Sequence, residues 1–558
     1  MQLKFTVTLF IVLLAFCAKQ STAQQKIIAA PPQPQDTVRV IQIVKARSLR
    51  EKTIDSVTTI ETAAGDAVIK EGLTTTYCDS VVINRRTNIV EAFGNIHIND
   101  NDSIHTYAQS LRYVGADRIA YLKKNVKLTD KKGTLLTDEL EYNLRTGIAT
   151  YKNGGKVING QTILTSKEGT YIAETKDVFF RKDVYFKDPN NTITTDSLQY
   201  NLRTNIATFI APTHIVGKDG SITDTKSGSY NLSTGEAIFD KRTTYRDSTH
   251  SISGDQMAFD KKSGLVQIFG NGKLVDSVNK VTVIGNEIYL DTKKNSFLAT
   301  RKPVMILYRD GDSTYIAGDT LFSGLRKYDS LERKIAIVKD TLTTTAVIAN
   351  DSSSTAGTNV KAVNLNSKDT AVRYFLAFHH VRIFNDSLQA VSDSLHYSTA
   401  DSTFKLFGQP LVWNGKTQVA GDTIYMYTEK QKPQRLYVFY NSIVISQTAD
   451  QLFNQIGGRT LNGYFKDGTI DYIRVKGSPA ESIFYPQDDD SAYTGMNRSS
   501  GDVIDIYFVK KELNKVKFIN NVDGIMYPIR QIPADKKTLH NFKWQDARRP
   551  KNKLELFE

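Results

Sequence analysis

Eight histidines are the first residues of this sequence to consider for chemistry, because imidazole is a common ligand of transition metals. They are His97, His105, His214, His250, His379, His380, His396 and His540. The adjacent pair His379 and His380 would point to opposite faces of an extended strand, which is wrong for chelating one ion. His-Glu-x-x-His and Cys-x-x-Cys do not occur. The sequence therefore predicts no metal site and no cofactor.

Carboxylates recur at regular intervals, which is a pattern that catalytic or calcium-binding acids can show. The recurring acids are Asp138, Asp196, Asp255, Asp319, Asp393 and Asp422. Their even spacing favours a structural role at turns, because a position that serves every turn equally is no active site. The cluster Asp488-Asp489-Asp490, followed by Asn497, is the best candidate for an ion site, although a solvated loop is the favoured interpretation.

Motifs of nucleotide-binding and hydrolytic enzymes are not supported. Gly415-Lys416-Thr417 has the form of the end of a phosphate-binding loop, but Pro410 stands where that loop requires glycine. We therefore predict a hairpin turn there. A Gly-x-Ser-x-Gly elbow is also absent. The protein is predicted not to be an enzyme.

A repeat organises the chain from Cys78 onward. A polar residue, an apolar residue and an aromatic ring recur in a fixed frame, and successive rings are 29, 29, 29, 30 and 29 residues apart. The rings are Tyr113, Tyr142, Tyr171, Tyr200, Tyr230 and Phe259. The frame returns at 394–397 and 423–426. A unit of this length cannot bury its own apolar face, so neighbouring units must stack.

Short alternating strands and tight turns make up each unit. Segments such as Ile148–Tyr151 and Ile206–Phe209 alternate apolar with polar residues, as half-buried strands do. Turns such as Asn143–Gly147 supply the Asn and Gly that positive φ angles favour. Helical spacing is almost absent. We predict an all-β fold, a repetitive β-jellyroll or solenoid of stacked antiparallel strands in two or more stacks.

Changes of pattern divide the chain into seven segments. They are a signal peptide (1–23), a linker with the first strand (24–74), the main repeat (75–325), an insertion or hinge (326–370), a second repeat stack (371–440), a C-terminal β module (441–530) and a basic tail (531–558). The insertion is rich in Ser, Thr, Ala and Asn. The C-terminal module contains two Tyr-Pro pairs 42 residues apart, and the tail is predicted to be loose.

The N-terminus has the features of a cleaved secretory signal. Lys4 precedes an apolar run of 14 residues, 5–18, and Ser21-Thr22-Ala23 places small residues before a cleavage site after Ala23. The run is shorter than the roughly 20 residues that span a bilayer. A lipid anchor on Cys17 is the less favoured alternative, because bulky Phe16 precedes that cysteine.

Charge and cysteine content limit the partners. Cys78 is the only cysteine left after cleavage, so no intramolecular disulfide is predicted. The formal charge of +13 falls to +11 when the two lysines Lys4 and Lys19 leave with the signal. A basic surface favours anionic partners such as phosphorylated lipids or acidic glycans. An exported protein rarely meets nucleic acid, so no nucleic-acid partner is predicted.

The repeat resembles a known family. Asp138–Thr150 and Asp196–Thr208 share the frame Asp-x-Leu-x-Tyr-Asn-x-x-Thr-x-Ile-Ala-Thr, and Gly94–Ile98 reads Gly-Asn-Ile-His-Ile. This set resembles the OstA/LptA family of periplasmic lipopolysaccharide-transport proteins, well over roughly 75–325 and less closely over 371–440. The chain is longer than a single bridging jellyroll, and it is too short after residue 440 to carry a large outer-membrane barrel.

The resemblance implies a twisted β-jellyroll whose two sheets open in a V and hold lipid acyl chains. It implies lipopolysaccharide as a partner, other β-jellyroll transport components that stack on edge strands, and a barrel partner in the outer membrane. It places the protein in the periplasm and leaves association with the outer membrane open. Nine residues in apolar alternation are predicted to contact lipid: Ile96, Ile98, Val126, Leu128, Ile163, Val184, Phe186, Ile193 and Ile215.

Several alternatives stay open. Each of the nine residues is equally compatible with ordinary core packing. The whole chain is also compatible with a glycan-binding or processing solenoid of the cell envelope, or with a structural envelope protein that assembles through its edges. Tripeptides of Asp, Ser or Thr, and an apolar residue, such as Asp386-Ser387-Leu388, resemble an O-glycosylation pattern of exported bacterial proteins, although the repeat itself generates them.

Overall fold

The computed structural model describes residues 40–130, 133–309, 312–327, 371–429, 432–466, 469–488, 492–509 and 512–557. The predicted signal peptide, including Cys17 and the cleavage position Ala23, lies outside the described residues. Most of the predicted insertion and two acids of the predicted ion site, Asp489 and Asp490, lie outside them as well.

Forty strands form the described structure, and each pair of neighbours runs antiparallel. The first twenty strands are β1 (Gln42–Lys45), β2 (Ser48–Asp55), β3 (Thr58–Glu71), β4 (Thr74–Asn84), β5 (Ile89–Asp100), β6 (Ile104–Val114), β7 (Ile119–Asp130), β8 (Thr134–Asn143), β9 (Ile148–Tyr151), β10 (Gly155–Asn159), β11 (Thr162–Ser166), β12 (Glu168–Ile172), β13 (Asp177–Lys187), β14 (Asn191–Asn201), β15 (Ile206–Phe209), β16 (Thr213–Gly217), β17 (Ile222–Thr225), β18 (Gly228–Asn231), β19 (Glu236–Phe239) and β20 (Thr243–Arg246).

The remaining strands continue the same pairing. They are β21 (His250–Gly254), β22 (Gln256–Asp260), β23 (Leu265–Asp276), β24 (Val281–Asp291), β25 (Ser296–Thr300), β26 (Val304–Arg309), β27 (Asp312–Ala317), β28 (Thr320–Lys327), β29 (Ala371–Phe384), β30 (Gln389–Ser398), β31 (Thr403–Phe407), β32 (Leu411–Asn414), β33 (Thr417–Ala420), β34 (Thr423–Glu429), β35 (Lys432–Ala449), β36 (Leu452–Lys466), β37 (Thr469–Phe484), β38 (Gly495–Val509), β39 (Glu512–Ile519) and β40 (Asp523–Pro528).

Helical structure in these ranges is limited to four short 3₁₀ segments, Ile529–Gln531, Ala534–Lys536, Asp546–Arg548 and Lys553–Leu556. Among the described residues, no helix has the length and apolar character needed to cross a bilayer. The prediction of an all-β fold of stacked antiparallel strands is confirmed.

The strands build two facing layers because each repeat bends once near its middle. In β13, Lys182 and Asp183 adopt left-handed φ angles of 64° and 53°, and the pairing with β14 shifts between Arg181 and Val184. We call such a bend the corner. The segments that carry the rings of the repeat form the ring layer, and the segments beyond the corner form the second layer. Side chains from both layers meet in one core.

The rings of the repeat point into this core from the ring layer. Across neighbouring strands they alternate with small residues in direct register. The row is Tyr113, Ala120, Tyr142, Ala149, Tyr171, Val178, Tyr200, Ala207, Tyr230, Ala237 and Phe259. The 29-residue period is therefore one ring strand and one small-residue strand, which separates successive rings by roughly 9–10 Å across the sheet.

Buried threonines close the corner side of the core. The hydroxyls of Thr195 and Thr213 lie 3.1 Å apart, and those of Thr225 and Thr243 lie 2.8 Å apart. Thr213 Oγ1 also donates to the carbonyl oxygen of Ala211 at 2.8 Å. These hydroxyls satisfy backbone groups where the strand ladder is interrupted, so the corner carries few unpaired polar atoms.

The recurring acids act at corners. Asp255 Oδ2 accepts a hydrogen bond from Asn271 Nδ2 at 2.6 Å, and Asp422 accepts one from Asn441 Nδ2 at 3.1 Å. Asn271 and Asn441 adopt left-handed φ angles of 46° and 48°. The acid thus orients a residue at the bend, which agrees with the predicted structural role but places it at the corner rather than at a turn.

His379 and His380 occupy such a corner in β29, with φ angles of 57° and 51°. The strand bends at both residues, so they do not lie in the flat strand that the prediction assumed. His379 Nδ1 lies 3.1 Å from Asp393, whereas His380 Nδ1 lies 2.9 Å from Asp319. The two rings therefore serve different carboxylates. In the described ranges, no group of three or more potential ligands is placed to hold a metal ion.

Two predicted boundaries in the repeat region are wrong. The predicted linker 24–74 contains the strands β1 to β3, and β2 is exposed along its whole length, so it shows no apolar alternation. The predicted boundary at residue 440 falls inside β35, where Tyr440 and Asn441 form a corner. The last strands therefore extend the same stack. At the predicted insertion, β28 pairs directly with β29, so pairing is continuous across it.

The predicted loose tail is instead an ordered segment, which we call the strap (residues 536–557). Gln418 Nε2 donates to the carbonyl oxygen of Lys543 at 2.7 Å, and its Oε1 accepts from the amide of Gln545 at 2.8 Å. Gln455 makes an equivalent pair of bonds two strands further along. The side-chain amides of Gln418 and Gln455 each make one donor and one acceptor bond to the strap backbone, as the backbone of an adjacent strand would. These bonds fix the strap on the outer face of the second layer.

The far end of the strap crosses the junction at the predicted insertion. Leu556 is buried against Val304, Ile306 and Ala317, which precede the insertion, whereas Gln418 follows it. Sequence analysis missed this because the segment is basic and has no period. The strap is ordered because it packs on an apolar outer face of the second layer, and this face forms only when the strands pair.

Removing the side-chain amide of Gln418 tests the contacts of the strap. Gln418→Ala is expected to lower the protection of the amides near residues 543–545 by about 1–3 kcal/mol, because two hydrogen bonds are lost. Hydrogen exchange read by mass spectrometry measures this change. Gln267→Ala, on an exposed outer position, is the control. Unchanged protection in Gln418→Ala would contradict the assigned contacts.

Candidate functional site

A groove opens between the two layers in the middle of the chain. Its volume is about 1170 Å³, which exceeds the roughly 300–1,000 Å³ of typical ligand pockets. Turns at the free strand ends border it on both sides, such as those at 218–221 and 261–264. The groove is therefore long, and its two rims lie at the ends of strands from opposite layers.

Mainly apolar side chains form both walls, most of them in cross-strand register. The ring-layer wall consists of Tyr230, Ala237, Phe259, Val266, Leu290, Phe297, Phe375, Tyr397 and Phe404. The second-layer wall consists of Ile215, Thr223, Tyr245, Ile252, Leu274, Val283, Met305, Leu307 and Ile316. Phe297 and Leu307 are only partly buried, so these walls keep apolar surface available for a ligand.

The last tyrosine hydroxyl that joins the two layers lies at the start of the groove. Two ring hydroxyls reach from the ring layer to the rim of the second layer: Tyr113 donates to Glu71 at 3.3 Å, and Tyr230 accepts from Asn191 Nδ2 at 3.1 Å. The hydroxyls of Tyr171 and Tyr200 bond Lys176 and Asn205 in turns of the ring layer. In the unit after Tyr230 the ring position holds Phe259, which has no hydroxyl. Hydrogen bonds between the layers tie them together, so their loss after Tyr230 coincides with the open part of the interior.

The phenols of the N-terminal core and of the groove are neutral. Burial raises the pKa of Tyr230 and the pKa of Tyr245, and it raises the pKa of Tyr113 to about 12. An uncharged phenol keeps the interior free of fixed charge at neutral pH. The walls are thus suited to hydrocarbon rather than to an ionic group.

The rims are polar and carry both signs of charge. Basic residues there include Lys218, Lys261 and Arg373, and the acids include Asp219 and Asp247. Hydrogen bonds from Ser221 lower the pKa of Asp219. For Asp247, burial works to raise the pKa, but hydrogen bonds from neighbouring backbone and hydroxyl groups outweigh it. An apolar interior with a charged rim can hold an elongated amphipathic molecule.

The nine predicted lipid contacts divide into four groups, of which Ile163 forms the last. Ile96, Val126, Val184, Phe186 and Ile193 are fully buried in the N-terminal core, at 2% exposure or less. Ile98 and Leu128 are partly buried against the same core. Of the nine, Ile215 alone is among the residues that line the groove.

Ile163 faces away from the interior. Its neighbour Leu164 is buried and pairs with Phe186, whereas Ile163 pairs with the exposed Lys187. Because successive residues of a strand alternate between faces, an error of one residue moves the prediction to the outer surface. Leu164 is the interior position.

The groove residues after 259 were missed by sequence reasoning. The signal that identifies them is the ring position of the repeat, which changes from tyrosine to Phe259, Leu290 and Ser323 in three successive units. The register that connects Ser323 to the rings becomes evident only from the strand pairing.

The OstA-like protein family matches residues 39–190 and 180–255 of the chain. No curated protein matches the sequence. Matches among solved structures number 22 chains. One is LptH of Pseudomonas aeruginosa, described as the LptA homologous periplasmic component of the conserved lipopolysaccharide transport device. It is 18% identical, the match covers 21% of this chain and 84% of that chain, and the TM-score is 0.19.

The family match covers the N-terminal repeats. It includes the rings from Tyr113 to Tyr230 and the groove residue Ile215, whereas most of the groove lies beyond residue 255. The architecture of that later part therefore rests on its own strand pairing. The resemblance seen in the repeat frame is confirmed as far as residue 255, and its extension over 256–325 and 371–440 stays a prediction. Residues 39–255 of this chain are an OstA-like region.

Proposed function

We propose that the protein binds the acyl chains of lipopolysaccharide in the groove and helps to transfer lipopolysaccharide to the outer membrane. It acts as a periplasmic scaffold that provides an apolar trough, and it performs no bond chemistry. The observation that carries this proposal is the groove of about 1170 Å³ with apolar walls and charged rims. Acyl chains lie against the walls, and the basic rim residues face the anionic sugar phosphates.

The OstA-like region and the terminal strands support this role. LptH, which matches in part, is described as a component of a lipopolysaccharide transport device. At one end of the stack β2 pairs with β3, and at the other β39 pairs with β38. Terminal strands present backbone groups on which a partner strand can add. Related β-jellyroll components and an outer-membrane barrel are the partners that we propose for these ends.

Site-specific photo-crosslinking in living cells tests the proposal. A photoreactive residue at Phe297, in the groove wall, is expected to form crosslinks to lipopolysaccharide. The same residue at Gln267, on the outer face of β23, is the control and is expected to form none. Positions Ile98 and Phe186 report whether the lipid path continues toward the N-terminus. Crosslinks only to protein, at every inward position, would overturn the proposal.

A further inference from the structure

The outer face of the ring layer changes character along the stack. In the N-terminal repeats its central row is mainly polar, with residues such as Glu141, Thr150, Gln199 and Thr208. Across β34 to β38 it becomes rich in tyrosine. We call this area the tyrosine face, formed by Tyr427, Tyr437, Tyr464, Tyr472, Tyr507 and Arg435. It lies on the opposite side of the ring layer from the groove.

Arg435 is held rigidly in the tyrosine face. Its guanidinium carbon lies 5.6, 5.2 and 5.7 Å from the ring centroids of Tyr427, Tyr437 and Tyr464. Its Nε donates to Asn462 Oδ1 at 2.9 Å, and a second nitrogen donates to the same oxygen. Across the described part of the chain, no carboxylate forms an ion pair with it. A guanidinium has five N–H groups, so donors remain available to an anion.

The other end of the face is equally ordered. Tyr464 and Tyr472 stack with centroids 5.6 Å apart, and the rings of Tyr472 and Tyr507 are in tilted contact with centroids 5.0 Å apart. Arg474 Nε and Nη2 each donate to Asp505 at 2.8 Å. Tyr472 also donates to Asp505, at 2.7 Å. The row crosses five strands, or roughly 19 Å, and its side chains are positioned before any ligand binds.

The charge on this surface is positive. Asp505 is the acid within the row, and it is 1% exposed. Burial works to raise the pKa of Asp505, but hydrogen bonds from Arg474 and Tyr472 outweigh it and lower that pKa. Asp505 is therefore ionised, with its charge offset by Arg474. Lys515 and Lys517 are exposed on the adjacent strand β39. The surface thus offers cations and phenolic hydroxyls.

We propose that the tyrosine face binds an extended anionic polysaccharide. Carboxylate or phosphate groups of the polymer bind Arg435, Lys515 and Lys517, and its sugar rings lie along the tyrosine edges and hydroxyls. Charge complementarity and the linear shape of the row favour this ligand. A membrane surface is disfavoured, because interfacial binding requires apolar side chains that bury among acyl chains. Here the ring faces are already occupied by one another and by Arg435.

Binding of defined polymers to the purified chain lacking residues 1–23 tests this inference. We expect binding to polygalacturonate and none to neutral dextran. Arg435→Gln and Tyr464→Ala are each expected to weaken binding to polygalacturonate about tenfold. Arg435→Gln removes a charged hydrogen-bond donor, and Tyr464→Ala removes a ring that contacts the sugars. Lys517→Gln, at an exposed position, is expected to weaken binding without affecting the fold.

Tyr121→Ala is the matched control. Tyr121 is 37% exposed and Tyr464 is 38% exposed, and both lie on the outer face of the ring layer. Tyr121→Ala is expected to leave binding unchanged. An equal loss of binding in Tyr121→Ala would indicate unspecific attraction and overturn the site.

A membrane surface is the alternative ligand. It would be identified by binding to phosphatidylglycerol vesicles that the same variants abolish, without binding to polygalacturonate. Leu307→Glu in the groove is expected to leave polysaccharide binding intact, which separates this inference from the proposed function.

Discussion

Replacing Leu307 by glutamate is expected to weaken acyl-chain binding about 100-fold, because burying an unpaired carboxylate costs more than the roughly 1–3 kcal/mol of a neutral polar group. Leu307 is partly buried in the wall of the groove. In the empty groove a glutamate at this position stays hydrated, so the fold tolerates it. An acyl chain that enters the groove displaces that water and leaves the carboxylate without a partner.

An exposed residue on the outer face supplies the control for this prediction. Gln267 lies on β23 between the buried Val266 and Ile268, is exposed and does not line the groove. Gln267→Glu therefore adds the same charge outside the groove and is expected to leave binding unchanged. Displacement of a fluorescent fatty acid by lipopolysaccharide measures both variants, and circular dichroism checks their fold. Leu307→Gln is expected to lose less affinity for lipopolysaccharide than Leu307→Glu. Equal affinities for Leu307→Glu and the unmodified protein would exclude the groove as the lipid site.

The second prediction concerns Gly169, which stands where three other units of the repeat have Leu111, Leu140 and Leu198. Gly169→Leu restores the common residue, yet it is expected to lower the free energy of unfolding by about 3 kcal/mol or more through overpacking. A Cβ atom at Gly169 would lie 2.3 Å from ring atoms of Tyr151. That ring cannot move easily, because it is 3% exposed and its hydroxyl bonds Ser166 at 2.7 Å.

A second substitution separates this cause from a general effect of the mutation. In the double variant Gly169→Leu with Tyr151→Leu, the space taken by the ring becomes free, so we expect much of the lost stability to return. Gly133→Ala is a control, because its Cβ would lie 3.5 Å from the nearest atom, the carbonyl oxygen of Ile158. Denaturant unfolding provides the free energies. A Gly169→Leu protein as stable as the unmodified chain would show that the core adapts around Tyr151.

Gly169 also shows how far a repeat can be interpreted from sequence. In the 29-residue frame, Gly169 occupies the position that Leu140 and Leu198 occupy in the units before and after it. In the structure these positions form one cross-strand row, in which Tyr151 and Phe180 flank Gly169. Aromatic side chains from both neighbouring strands fill the volume that a leucine occupies elsewhere. Sequence spacing identifies equivalent positions, whereas the volume available at each depends on the neighbours that pairing brings beside it.

The sequence by itself determined the 29-residue unit, the antiparallel β fold and the OstA-like resemblance of the N-terminal repeats, because strand alternation and turn residues are local signals. It also identified residues of the buried core such as Phe186 and Ile193. It did not locate the corner, the strap or the greater part of the groove. Those features depend on contacts between distant residues, as when Asn191 reaches Tyr230 and Gln418 binds the strap. Tertiary structure alone decided where the interior is tied closed and where, beyond Tyr230, it opens into a groove.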